Sequence, residues 1–232
     1  MRLAALELCA GGGGQALGLE AAGFECAAAI EIDAPSCGTL RLNRPKWRVI
    51  QSDIREVSGG DFRGIDLLAG GVPCPPFSIA GKQLGRHDER DLFPEALRII
   101  EQSKPSAVLL ENVPGFASAK FKGYRQGLAS ALFRLGYEVR WNTLNASDYN
   151  VPQLRPRFIL VALRGRPSSR FAWPERLAQR PPTVGEALKG LMAARDWPGA
   201  EAWTRKASRI APTIVGGSKK HGGPDRTILA RA

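Results

Sequence analysis

The sequence predicts an α/β fold, with a mostly parallel sheet covered by helices on both faces. Short apolar segments alternate with segments of helical periodicity along residues 3–163. The apolar segments lack the polar alternation of half-exposed strands, as expected for parallel strands that are buried on both faces. Glycines, acidic residues and a cysteine follow these segments. In such a sheet the ligand site lies at the carboxyl ends of the strands, which is where these residues stand.

The first unit follows the order strand, glycine turn, helix. Residues 3–9 form a short apolar run, four glycines stand at 11–14, and a helix is predicted over 15–22. This order begins nucleotide-binding α/β units, in which backbone amides at a helix start approach the ligand. Gly11-x-Gly13-x-x-Ala16 also fits the looser dinucleotide fingerprint, so a nicotinamide dehydrogenase is an alternative on these residues alone.

The next two predicted strands lead to acidic residues. The strand over 27–32 contains Glu31 near its end, and the strand that includes residues 49–50 is followed by Asp53, with a helix over 34–43 between them. A carboxylate at the end of the second strand accepts hydrogen bonds from ribose hydroxyls in nucleotide-binding folds. Asp53 is placed either to accept from an adenine amino group or to cap a turn.

A lone thiol stands between prolines after the fourth predicted strand, residues 65–69. The segment reads Gly70-Gly71-Val72-Pro73-Cys74-Pro75-Pro76-Phe77-Ser78, and a helix is predicted over 92–103 beyond it. Each proline fixes its own φ and restricts the residue before it, so the loop around Cys74 is stiff. A stiff loop can aim a nucleophilic thiolate, although a small buried side chain in a turn is the alternative.

Two further positions complete a candidate site. The remaining predicted elements are strands over 107–110, 139–144 and 158–163 and a helix over 124–135. Glu111 ends one of these strands, where a partly desolvated carboxyl is suited to donating a proton. Arg155 and Arg157 lie two apart on an extended segment, so their side chains share one face. A turn carboxylate and solvated surface charges are the respective alternatives.

The composition predicts the kind of partner. The net charge is +11, with 17 basic and 17 acidic residues in 1–150 but 16 and 5 in 151–232. A basic segment attached to a neutral domain indicates a polyanionic partner, most economically nucleic acid, with general solubility as the alternative. The sequence contains no run of eighteen apolar residues, so no membrane span is predicted. Four cysteines without CxxC pairing argue for free thiols and against a zinc site, so we expect a cytoplasmic protein without metal.

The character of the sequence changes at about residue 167. Proline, arginine and tryptophan are scattered beyond it without clear periodicity, apart from a predicted helix over 183–192, and residues 210–232 are rich in glycine and lysine. We therefore expect one ligand-binding domain over 1–166 and an irregular basic extension over 167–232.

Taken together, these motifs resemble those of the DNA (cytosine-5) methyltransferases, in the family's order across about residues 3–163. Six segments carry the resemblance: residues 6–14, Glu31-Ile32-Asp33, Ser52-Asp53-Ile54, residues 73–78, Glu111-Asn112-Val113 and Gln153-x-Arg155-x-Arg157. One match would carry little weight, but six in order leave little room for coincidence. The resemblance implies a Rossmann-like S-adenosylmethionine-dependent methyltransferase fold.

The resemblance also implies a cofactor, S-adenosyl-L-methionine, with Glu31 on its ribose and Asp53 on its adenine. The implied contacts are Cys9, Ala10, Gly11, Gly13, Glu31, Ile32, Asp53, Ile54, Pro73 and Leu92. Two residues depart from the family pattern. Cys9 stands where an aromatic residue is usual, and Glu7 stands where aspartate is commoner.

The implied reaction is methylation of a cytosine flipped out of duplex DNA, as in restriction-modification systems. Cys74 is expected to attack C6, Glu111 to hold and protonate N3, and Arg157, with Arg155 beside it, to stabilise the O2 side. Residues 78–87 resemble the family's mobile loop, which closes over the extruded base. Its implied substrate-loop residues are Ser78, Lys82 and Gln83.

The resemblance weakens after the arginine motif, where the family continues with a target-recognition domain and a segment that completes the cofactor pocket. Residues 183–187 and 211–218 resemble the approach to that domain, and no counterpart of the last two motifs is evident. We therefore expect a catalytic portion, either one subunit of a split enzyme or a truncated chain. It is expected to need a complementing subunit that supplies DNA recognition and the rest of the cofactor pocket. A tRNA cytosine-5 methyltransferase and a non-catalytic nucleic-acid-binding relative are the alternatives.

Overall fold

The computed structural model describes residues 2–73, 91–165 and 171–213. Its contacts divide the chain into two compact units, one formed by Met1–Thr143 with Phe158–Ala172 and the other by Leu144–Arg157 with Trp173–Ala232. The predicted domain boundary after residue 166 stays a prediction. Within the described ranges, no helix is both long enough and apolar enough to span a membrane.

A seven-stranded sheet dominates the described part of the first unit. The strands among the described residues up to 164 are β1 (Leu3–Leu8), β2 (Phe24–Glu31), β3 (Val49–Gln51), β4 (Leu67–Gly70), β5 (Ala107–Asn112), β6 (Tyr137–Asn145), β7 (Gln153–Leu154) and β8 (Pro156–Arg164). The order in this sheet is β3-β2-β1-β4-β5-β8-β6. The first five strands in that order run parallel to one another, whereas β8 runs antiparallel to β5. The predicted mostly parallel sheet is confirmed.

Helices cover both faces of the sheet, as predicted. The helices of this unit are α1 (Gly14–Ala21), α2 (Ala34–Asn43), α3 (Phe93–Ser103) and α4 (Lys122–Arg134). Leu6 and Leu8 of β1 belong to the main apolar core, which includes residues of α3 and α4. The alternate position Ala5 packs in a second cluster with Leu19 of α1, and Leu40 of α2 packs against Ala29 of β2. Successive strand residues thus contact different helices because they point to opposite faces.

The register brings the carboxyl ends of five strands to one edge of the sheet. Leu8 pairs with both Ile30 and Gly70, Ile30 with Ile50, and Gly70 with Leu110. The residues that follow these pairs therefore lie along a common edge.

The second unit contains two α-helices and a small sheet among its described residues. These are α5 (Val184–Ala193), α6 (Ala200–Lys206) and a parallel pair of β7 with β9 (Ala211–Pro212). Thr183 caps α5 in a capping box with Glu186, which explains why the helix predicted over 183–192 forms. The prediction of an irregular extension missed α6 and the β7 to β9 pair, because seven and two residues are too short to show periodicity.

Candidate cofactor pocket and catalytic residues

A cavity of about 260 Å³ lies at the carboxyl edge of the sheet. Ten residues line it: Cys9, Ile30, Glu31, Ile32, Ser52, Asp53, Ile54, Gly71, Pro73 and Leu92. Seven of the ten are implied cofactor contacts from the sequence, namely Cys9, Glu31, Ile32, Asp53, Ile54, Pro73 and Leu92. Apolar walls with two convergent carboxylates are the lining expected of a small-molecule site. These residues fit the adenosine part of the implied cofactor, which carries hydroxyls, an amino group and an apolar ring face.

Glu31 is held in place before any ligand arrives. Its Oε2 accepts a hydrogen bond from the Gly11 amide at 2.7 Å, and its Oε1 accepts one from the Asp33 amide at 2.8 Å. The side chain is buried, with the whole residue 8% exposed. Each carboxylate oxygen accepts more than one hydrogen bond, so both remain able to accept from a pair of hydroxyls. Glu31 is a preorganised acceptor on the cavity wall.

Asp53 has the capping role that the sequence left open, and it also lines the cavity. Its Oδ1 accepts from the Arg55 amide at 2.9 Å, while its Oδ2 pairs with the Arg55 guanidinium at 2.8 Å. Both contacts fix the carboxylate at the start of the short 3₁₀ helix Ile54–Glu56. The free lone pairs of this fixed carboxylate could accept from an amino group in the cavity.

The glycine turn supports the cavity from outside its lining. Ala10, Gly11 and Gly13 are the three implied cofactor contacts that do not line the cavity. Gly11 and Gly13 have φ values of +53° and +86°, in the left-handed region that favours glycine. The Gly11 amide is the donor to Glu31, and Gly13 caps the start of α1. The turn thus orients a carboxylate as well as a helix start.

Gly13→Ala should destabilise the protein by about 1–3 kcal/mol. An added Cβ would meet Leu40 Cδ2 at 2.5 Å, and the positive φ would be strained as well. Gly12→Ala is the matched control, because a Cβ there meets nothing within 4 Å and no unfavourable φ applies. Urea denaturation of both variants tests this, and equal stability of the two would contradict it.

Cys9 supplies a neutral surface to the cavity. It adopts a φ of +55°, and burial, together with the charges of Glu31 and Asp53, raises the pKa of its thiol to about 12. A thiol with such a pKa stays protonated at neutral pH and is a poor nucleophile. Cys9 is therefore unsuited to the role of attacking thiol, which the sequence predicts for Cys74.

The glutamate motif lies beside the backbone that leads to Cys74. A Cβ added at Gly71 would lie 3.5 Å from Glu111 Oε2, so this carboxylate is next to Gly71. Asn112 donates from Nδ2 to the Val72 carbonyl at 2.9 Å and is 7% exposed. No role is predicted for Asn112 from the sequence, although an amide side chain at the end of an apolar strand is a signal for one. Cys74, Ser78, Lys82 and Gln83 lie outside the described residues.

The arginine motif belongs to the second unit. The Arg155 amide donates to Asn145 Oδ1 at 2.8 Å, and the Arg155 carbonyl accepts from the Ala146 amide at 3.1 Å. The Arg157 guanidinium donates to the Pro156 carbonyl at 2.8 Å. Both arginines are half-buried. The Arg155 backbone is therefore fixed within this unit, whereas the catalytic role of both arginines stays a prediction.

Comparisons with known proteins agree with the motifs. A family model described as C-5 cytosine-specific DNA methylase matches residues 3–223. The chain is 54% identical over 215 residues to the Type II methyltransferase M.NgoMIV of Neisseria gonorrhoeae, covering 93% of this chain and 69% of that protein. It is 54% identical over 226 residues to the Type II methyltransferase M.NaeI of Lentzea aerocolonigenes, covering 96% of this chain but 54% of that protein.

A third relative and a solved structure differ in the extent of the match. The Type II methyltransferase M.AquIA of Picosynechococcus sp. is 34% identical over 242 residues, which cover 94% of this chain and 98% of that protein. The crystal structure of a prophage-encoded DNA modification methyltransferase (E. coli) matches with a TM-score of 0.68 and 28% identity, over 80% of this chain and 54% of that chain. The chain thus spans about half of some relatives and nearly all of another.

Proposed function

The chain belongs to the C-5 cytosine-specific DNA methylase family, and from this premise we propose that it transfers a methyl group from S-adenosylmethionine to C5 of a cytosine in DNA. It would do so in the cytoplasm, as the catalytic portion of a restriction-modification methyltransferase. The observation that carries the proposal is the cavity at the strand edge, whose lining includes Gly71 and Pro73 just before Cys74. The similarity of the chain to Type II methyltransferases supports the same activity.

The cavity residues would hold the cofactor by its adenosine part. S-adenosylmethionine supplies an electrophilic methyl group when bound. Glu31, fixed by two backbone amides, would accept from the ribose hydroxyls, and Asp53 would accept from the adenine amino group. Ile32, Ile54 and Leu92 would provide apolar contacts to the ring. Cofactor at 100 times its dissociation constant should then stabilise the protein by about 2.7 kcal/mol.

The catalytic residues would make C5 of the target base nucleophilic. The Cys74 thiolate would form a bond to C6 while Glu111 gives a proton to N3, so that the electron pair of the C5–C6 double bond becomes available at C5. Arg155 and Arg157 would stabilise the O2 side. Once C5 has gained the methyl group, with S-adenosylhomocysteine as the leaving group, a water molecule would take the C5 proton. Departure of the Cys74 thiolate and return of the N3 proton to Glu111 would then restore the aromatic ring. The base must leave the helix stack for this, at a cost of a few kcal/mol.

A complementing polypeptide segment would supply target recognition. This part of the proposal is supported by the extents of the relatives, because the chain covers 54% of M.NaeI but 98% of M.AquIA. Relatives named as methyltransferases therefore include one that is about twice as long as the matched part and one of nearly the same length. The excess of basic residues in 151–232 would contact DNA phosphates, whose contribution to affinity falls as salt rises.

Methyl transfer to DNA tests the proposal. The chain would be assayed with labelled S-adenosylmethionine on duplex DNA and on tRNA, alone and with the part of M.NgoMIV that the match does not cover. We expect transfer to DNA that rises when the complementing part is added. Robust sequence-specific methylation by the chain alone would contradict the need for complementation, and preferential transfer to tRNA would contradict the DNA substrate. A melting temperature raised by NADH and not by S-adenosylmethionine would favour a dehydrogenase.

A further inference from the structure

One pair of side chains ties a wall of the cavity to helix α4. Leu92 and Pro73 both line the cavity, and the Leu92 amide donates to the Pro73 carbonyl at 3.3 Å. The neighbouring Asp91 accepts from the Phe93 amide through Oδ1 at 3.1 Å. Its other oxygen, Oδ2, accepts from the Tyr124 hydroxyl of α4 at 2.5 Å. The start of α3 and the cavity wall thus share a connection with a residue 33 positions away in the sequence.

The ring of Tyr124 is held independently of its hydroxyl. It makes edge contacts with Phe93 and Phe116, both at a centroid separation of 5.8 Å. Phe93 and Phe116 are 2% and 0% exposed, so these contacts belong to the buried core. A hydroxyl carried by a ring packed in this way presents a fixed donor to Asp91. A hydrogen bond to a charged acceptor is also stronger than one between neutral groups.

We propose that Tyr124 is a positioning residue for the cofactor cavity. Its hydroxyl holds Asp91, Asp91 fixes the first turn of α3, and this turn sets the place of Leu92 against Pro73. The effect on cofactor affinity rests on the proposed function, whereas the series of hydrogen bonds from Tyr124 to Pro73 does not. The alternative is that Asp91 only caps α3 and that Tyr124 contributes only to core stability.

Two variants separate these roles. Tyr124→Phe keeps the ring contacts and removes the donor to Asp91. Tyr137→Phe is the matched control, because it removes a buried hydroxyl that donates to the Pro105 carbonyl at 2.7 Å, before the amino end of β5. The control should lower the melting temperature at least as much as the Tyr124 change does. Only Tyr124→Phe should weaken the contact between Leu92 and Pro73 in the cavity wall.

The first measurement is amide hydrogen exchange in the cofactor-free protein. Tyr124→Phe should make the Leu92 amide exchange about tenfold faster, because the bond to Pro73 opens more often, whereas Tyr137→Phe should leave it unchanged. The second measurement is the dissociation constant for S-adenosylmethionine by calorimetry, which should rise about three- to tenfold in Tyr124→Phe only. Asp91→Ala should weaken binding similarly, and the double variant should show no further loss.

Unchanged Leu92 exchange in Tyr124→Phe, or equal acceleration in both variants, would overturn the proposal. Unchanged cofactor affinity in Tyr124→Phe, with normal binding by the parent protein, would overturn its effect on the cavity. Failure of the parent to bind S-adenosylmethionine would instead count against the proposed function, and the exchange measurement would still decide whether Tyr124 positions Leu92.

Discussion

Glu111→Ala lowers methyl transfer to DNA by about 10²- to 10⁴-fold, the usual contribution of a general acid, and leaves cofactor binding unchanged. This is the expected result if the Glu111 carboxylate, which lies beside Gly71, donates a proton to the target cytosine.

Cys74→Ser should abolish the covalent adduct that the parent protein forms with DNA containing 5-fluorocytosine. The normal C5 substituent leaves as a proton, whereas fluorine cannot leave as a cation, so the adduct persists in the parent protein. Single-turnover transfer and denaturing electrophoresis measure the two effects.

The controls for this prediction separate chemistry from folding. Glu101→Ala removes an exposed carboxylate from α3 and should retain full transfer and adduct formation. Glu111→Ala should bind S-adenosylmethionine like the parent, since Glu111 does not line the cavity. A parallel loss of cofactor affinity in Glu111→Ala would show that this residue supports the cavity rather than the reaction.

The sequence was sufficient to predict the strand edge at which the cavity lies. Parallel strands joined by helices end at the same edge, so residues that follow strands come together even when they are far apart in the chain. Glu31, Asp53 and Pro73 follow this rule, and all three line one cavity. The acidic residues were recognisable as candidates because charged side chains are rare in strands that are buried on both faces. The location of these residues follows from the strand pattern, whereas their binding of a cofactor follows only from the resemblance and is tested by the binding measurements.

Contacts between distant segments could not be predicted in this way. The antiparallel direction of β8 depends on its pairing with β5, and an apolar strand has the same residue pattern in either direction. The bond from Asn112 to Val72 joins residues 40 positions apart, and the Asp91 to Tyr124 pair also depends on packing between helices. Periodicity reports which face of an element is buried, but it does not report which partner covers that face.

Glu7 shows how burial alone can change the chemistry of a motif residue. This glutamate of β1 is 3% exposed, and its Oε2 has no hydrogen-bond partner among the described residues. Burial raises its pKa from 4.5 to about 8, against a smaller opposing effect of the hydrogen bond with the Ala16 backbone. The folded protein therefore keeps Glu7 protonated at neutral pH.

A raised carboxyl pKa makes the protein less stable as the pH rises. The unfolded chain releases the Glu7 proton near pH 4.5 and the folded chain near pH 8, so unfolding releases a proton between these values. The stabilisation from protonated Glu7 is complete below about pH 4.5, declines as the pH rises and is lost above about pH 8. Raising the pH from 5 to 9 should then lower the free energy of unfolding of the parent protein by about 3–4 kcal/mol through the Glu7 carboxyl.

Glu7→Gln should remove this part of the pH dependence, because an amide does not ionise. Its free energy of unfolding relative to the parent should therefore rise by about 3–4 kcal/mol between pH 5 and pH 9. Glu25→Gln is the control, since the Glu25 side chain is 59% exposed and pairs with Arg2 on the surface. Urea denaturation of all three proteins at both pH values measures the difference, and other titrating groups cancel because they are shared. If Glu7→Gln lost as much stability as the parent over this range, Glu7 would already be ionised in the folded state. The buried end of β1 would then tolerate a carboxylate beneath the glycine turn, contrary to the cost expected for an unpaired buried charge.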